Sequence, residues 1–89
     1  MNTNTFITTI GTEVTVDQKL QTKPRGWTKE VVIMGVVLDS EGHSYTSPSE
    51  ADFYSVFWVM TGGFKFWLED FFQEDVAYLF AEKIKEALH

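Results

Sequence analysis

The chain contains no cysteine and only two prolines in 89 residues. Without cysteine there is no disulfide and no thiolate metal site. The histidines number two, His43 and His89. A zinc site of three or four ligands at workable spacing therefore has no material, and neither metal nor other cofactor is expected. Bases are scarce, with seven Lys and Arg against 13 Asp and Glu. There is no long hydrophobic run. The longest apolar stretches fall far short of the ~20 residues that span a bilayer. Met1–Thr5 carries neither a basic segment nor an apolar one, so it does not read as a signal peptide. A soluble cytoplasmic protein is the expectation.

What is present is aromatic. Phe, Trp and Tyr make up 16% of the chain, and each one buried removes a large apolar area from water. In a single domain of this length they stand in for the missing covalent staple. A core this small does not hold all of them easily, so a homodimer interface is a further expectation.

The net charge of −6 is unevenly placed. Residues 1–45 carry five acids against four bases, and residues 46–89 carry eight acids against three. An acidic half argues against broad binding to a nucleic-acid backbone, which needs a basic face. It suits solubility, and it suits a protein partner with a basic surface.

Phe53–Leu88 organises the rest. Phe53–Met60 is rich in β-formers, Thr61-Gly62-Gly63 is a three-residue turn, and Phe64–Phe72 resumes the strand pattern. A hairpin closed there sets Met60 opposite Phe64, Trp58 opposite Phe66, Phe57 opposite Trp67 and Val56 opposite Leu68. Alternation then gives two faces. Val56, Trp58, Met60, Phe64, Phe66 and Leu68 form an apolar one that should meet a helix. Phe53, Ser55, Phe57, Val59, Lys65, Trp67 and Glu69 form a mixed one, suited to exposure or to a partner. Ser47-Pro48-Ser49-Glu50 has a competing helix-start signature, which allows a short helical turn at Pro48–Asp52 before the strand. Gln73–Leu88 follows the 3.6-residue period, with a stripe of Val76, Leu79, Phe80, Ile84, Ala87 and Leu88. Acids in its first turn and lysines near its end match the helix dipole.

Upstream, Thr5–Asp17 reads as a hairpin turning at Gly11-Thr12, and Gln18–Gly26 as a loop. Lys29–Leu38 is a nearly continuous apolar run with β-branched residues, the pattern of a central strand covered on both faces. Asp39–Gly42 is a turn, followed by an extended piece, His43–Thr46. The predicted fold class is α+β: an antiparallel sheet of about five or six short strands in a single domain (residues 1–89), with the C-terminal helix packed on one face.

No catalytic motif emerges. Ser40 and Ser44 flank His43 with no third group to orient it. Glu69 and Asp70 are adjacent on a strand and point to opposite faces. Glu74 and Asp75 are explained by the helix start. The expected function is a non-enzymatic acidic interaction module, of the kind phages and mobile elements use as inhibitors or adaptors, which occludes a basic partner surface. Its expected surface is Phe57, Lys65, Trp67, Glu69, Asp75, Glu82 and Glu86. The alternative is a small-molecule binder with an aromatic pocket between sheet and helix. A weaker candidate is Trp27 with Arg25, in the basic loop, where an aromatic beside positive charge could grip phosphate or stack on a base.

Overall fold

The computed structural model describes residues 5–39, 42–46 and 50–87, with the side chains of Asp39 and His43 outside that description. Within it the chain is α+β. It runs β1 (Thr5–Ile7), β2 (Glu13–Thr15), α1 (Val16–Gln21), β3 (Trp27–Asp39), β4 (Gly42–Thr46), β5 (Phe53–Met60), β6 (Lys65–Phe71) and α2 (Glu74–Glu86). β1 and β2 form a small hairpin, and the other four strands form an antiparallel sheet in the order β4-β3-β5-β6. No described helix is long and apolar enough to cross a membrane.

The hairpin of β5 and β6 closes as its residues dictate. Gly62 and Gly63 take φ of 90° and 88°, the left-handed region where side chains are strained. Met60 N–H donates to Phe64 at 2.7 Å. Trp58 faces Phe66 and Phe57 faces Trp67. Val56, however, faces Glu69 and not Leu68, because the register slips between Val56 and Phe57. Leu68 is the extra residue of a β-bulge, and it turns every later residue of β6 to the other face.

One face of the sheet carries α2 and the core. Val31, Val56, Trp58, Met60, Leu68 and Phe71 meet Ala77, Phe80, Ala81 and Ile84, with Phe6, Val14 and Val16 closing the end. Phe71 and Phe80 lie 4.9 Å apart, and Phe6 sets its ring edge-on to both. The stripe that α2 buries is Ala77-Phe80-Ala81-Ile84. The expected stripe was rotated from this: Leu79 is 48% exposed and Ala87 is exposed. Two alanines on the buried stripe let the helix axis approach the sheet closely, which a leucine there would prevent. Phe64 and Phe66, expected in this core, are exposed, since α2 does not lie over the start of β6.

Gln18–Gly26 is not simply a loop. Thr15 caps α1, its hydroxyl accepting from Gln18 N–H, while the Gln18 side chain accepts from Thr15 N–H, a reciprocal capping box. The Thr5–Asp17 hairpin forms with shorter strands than expected, joined by the five residues Thr8–Thr12. Phe53–Met60 is strand, as expected. Ser47–Ser49, Ser40, Glu41 and Leu88, which figured in the expected turn and helix signals, lie outside the described residues.

β3 enters the sheet irregularly. Trp27 pairs Met60 and Glu30 pairs Val59, leaving Thr28 and Lys29 looped out. Lys29 holds φ at 74°. Thr28 hydroxyl donates to Val59 carbonyl at 2.9 Å and Trp27 Nε1 to Glu30 carbonyl at 2.7 Å.

Candidate functional site

The second face of the four-stranded sheet has no layer over it among the described residues. Its rungs follow from the register. Tyr45, Val36 and Phe53 form one; Met34, Ser55 and Asp70 the next; Val32, Phe57 and Trp67 the third; Glu30, Val59 and Lys65 the last. Two rungs are wholly apolar or aromatic, the one between them sets Met34 beside Ser55 and Asp70, and the last ends in opposite charges.

The middle of this face is already dry. Val36, Ser55 and Phe57 are 3%, 5% and 8% exposed, while Tyr45 and Trp67 at the flanks are 61% and 55% exposed. Large flanking rings shelter the central residues, and a depression of about 350 Å³ results, lined by Val36, Tyr45, Phe53, Ser55, Phe57, Trp67 and Asp70. Tyr45 leans diagonally to set its ring edge-on to Phe57, with centroids 6.1 Å apart.

Asp70 is the charged member. Its Oδ1 accepts from the Ser55 hydroxyl and, at 2.8 Å, from Trp67 Nε1. These bonds fix both the carboxylate and the indole plane. The bulge at Leu68 is what brings Asp70 to this face.

The same bulge corrects the position of Glu69. It was expected beside Trp67 on the open face. It lies instead on the helix-bearing side, 7% exposed. There Oε2 meets Lys19 Nζ of α1 at 3.0 Å, and Oε1 accepts from Asp70 N–H at 3.1 Å. The Lys19 ammonium also sits 5.9 Å from the Trp67 ring centroid. Trp67 thus straddles the sheet edge, between an ion pair behind and a carboxylate in front.

The remaining expected residues divide. Phe57, Trp67 and Lys65 share the open face. Asp75, Glu82 and Glu86 are exposed on α2, which covers the opposite face, so they do not join that surface. Glu82 and Glu86 line a shallow depression with Lys29, Glu30 and Lys85, where bases interrupt the acidic strip. Trp27 is taken up by structure, its ring 4.7 Å from that of Trp58, while Arg25 is exposed nearby. The space between sheet and helix, expected in the alternative reading as a ligand pocket, is filled: Val56, Phe71, Phe80 and Ile84 are each 0% exposed. A separate apolar groove of about 570 Å³ runs between β1 and α2, past Ile7, Phe72, Val76 and Leu79.

Sequence reasoning placed Ser55 on the face of Phe57 and Trp67 but missed Tyr45 and Asp70 as their partners. Tyr45 needed the β3–β4 register, and Asp70 needed the bulge. Among the described residues no three His, Cys, Asp or Glu are grouped so as to hold a metal ion. Comparison of the chain with family models, curated proteins and solved structures finds no match in any of the three.

Proposed function

We propose that this chain is a non-enzymatic interaction module that docks a protein partner onto the open face of its four-stranded sheet. One observation carries the reading. An antiparallel sheet with one solvated face normally alternates apolar and polar residues. β3 and β5 do not: Val32, Met34 and Val36, and Phe53, Phe57 and Val59, are apolar on the uncovered side. The sequence is written for two covers, and the described residues supply one. The net charge of −6 favours a partner whose contacting surface is basic.

A quantitative capture experiment tests this. Wild-type protein and a Tyr45→Ser/Trp67→Ser variant, both immobilised, are compared in extract of the cell that expresses the chain. Proteins retained by the wild type and lost by the variant are expected, with retention falling as salt rises. An unchanged set would refute the use of this face.

A second reading, a small-molecule binder, is favoured by the volume of the depression, which falls in the range of ligand pockets. It relocates the ligand from the helix side of the sheet to the open side. Native mass spectrometry of protein purified from its own cell would show a bound molecule lost in the same variant.

A further inference from the structure

The geometry points to a specific occupant of the open-face depression: the guanidinium of an arginine side chain presented by the partner. This rests on the interaction-module reading and adds to it the chemistry recognised. A carboxylate on an apolar, aromatic face is costly unless its charge is answered. Among the described residues Asp70 is answered only in part. It accepts from Ser55 and Trp67, both at Oδ1, whereas an ionised carboxylate offers about four acceptor positions. The ion pair of the neighbouring Glu69 with Lys19 is on the other side of the sheet, so that lysine is already committed. Lys65 stands two rungs from Asp70, on the rung that also holds Glu30.

The walls fit the same ligand. Phe57, Tyr45 and Trp67 line the depression, with the rings of Tyr45 and Phe57 set edge-on to one another. Aromatic faces attract cations, and arginine adds planar stacking and a forked donor set that a carboxylate can meet with two parallel bonds. The planes are preset: Trp67 is held by its bond to Asp70, and Phe57 is buried. Little side-chain freedom is therefore lost on binding. A lysine would use the charge but not the planar geometry. A neutral apolar side chain would use the rings and leave the carboxylate unanswered.

The test is a titration of the full chain, followed by proton–nitrogen NMR at the Trp67 Nε1–H and the backbone amides. Four blocked amino acids serve as probes: N-acetyl methylamides of arginine, lysine, citrulline and leucine. The expected result is saturable millimolar binding of the arginine probe centred on Trp67, Tyr45 and Asp70, with lysine weaker and citrulline weaker still. Asp70→Asn should weaken the arginine probe by about tenfold, the size of a lost charge-assisted contact. Should Asp70→Asn disturb the fold, Tyr45→Leu, at an exposed position, removes ring density without touching the carboxylate, and it should weaken arginine more than leucine. Equal binding of arginine and citrulline would overturn the proposal. So would binding of leucine alone, which leaves the open face as an interaction surface but makes its ligand apolar. Absence of any shift with all four probes would overturn the arginine site, and the capture experiment would then decide the face separately.

Discussion

The ion pair between Glu69 and Lys19 depends on the bulge at Leu68, and breaking it tests that bulge. Its carboxylate lies 3.0 Å from Lys19 Nζ, with side-chain exposures of 21% for Lys19 and 10% for Glu69. At that distance and an effective dielectric near 20, the gross attraction is about 5 kcal/mol. Desolvation and the ordering of two long side chains offset most of it. A pair between the exposed and buried limits should retain about 1–2 kcal/mol. Glu69→Ala also removes the acceptor of Asp70 N–H, worth about 1 kcal/mol. The expected cost of Glu69→Ala is thus about 2–3 kcal/mol, and that of Lys19→Met about 1–2 kcal/mol, since methionine keeps the apolar stem. The double variant should reveal a coupling of about 1–2 kcal/mol. Urea unfolding followed by tryptophan fluorescence measures all four proteins. With a slope of about 1 kcal/mol per molar, the Glu69→Ala midpoint should fall by about 2–3 M. A coupling near zero, with Glu69→Ala nearly silent, would place Glu69 in solvent on the open face. That would refute the bulge, and with it the position of Asp70.

Other variants probe separate joints. Thr15→Ala removes the hydroxyl that caps α1 and should cost about 1 kcal/mol by the same unfolding assay. Lys29→Gly relieves a left-handed backbone at φ 74°; the relief of about 1–2 kcal/mol exceeds the entropy glycine adds to the unfolded chain, so stability should hold or rise by up to ~1 kcal/mol. Lys29→Val should destabilise, being β-branched at the same φ. Leu79→Glu should fold normally, because Leu79 is 48% exposed, whereas Ile84→Glu at 0% exposure should abolish the cooperative transition seen by circular dichroism.

The hairpin of β5 and β6 was legible because each of its signals was local. Two glycines at a turn, β-branched and aromatic runs on either side, and strict alternation gave the pairing as far as Phe57 with Trp67. Legibility stopped at Leu68, since a bulge adds a residue without altering the apolar pattern that would announce it. Leu68 stays in the core either way; only the residues after it change face. The rotation of α2 was missed for a related reason. Hydropathy weights Leu79 above Ala77 and Ala81, but close approach to a sheet selects for small residues as well as apolar ones. α1 is six residues long, too short to show a helical period. Its one signal was the capping box of Thr15 and Gln18, a Thr with Gln three residues on, which the loop-like composition after Leu20 obscured. Tyr45 could be placed only once the β3–β4 register was known, because it leans across a rung to reach Phe57.

The bulge at Leu68 ties the fold to the candidate site. Adjacent residues on a regular strand point to opposite faces, so Glu69 and Asp70 must divide between the two sides of β6. Which goes where is decided by the extra residue. With it, the longer carboxylate lies on the helix side, where it can reach Lys19 across the gap to α1. The shorter one lies on the open face, where it can be gripped by Ser55 and by the indole of Trp67. Without it the lengths would be mismatched: Asp70 would be on the side of α1 with a shorter reach to Lys19, and Glu69 would stand among the rings with one more rotatable bond. Trp67 is held from both sides by this arrangement, by Lys19 over its ring and Asp70 at its nitrogen. The stability of α1 and the rigidity of the open-face rings are therefore consequences of the same inserted residue. A partner that grips Asp70 would act on a side chain whose backbone N–H is bonded to the Glu69 carboxylate. Binding there would thus be coupled, through the single peptide unit between Glu69 and Asp70, to the ion pair that fastens α1 on the other face.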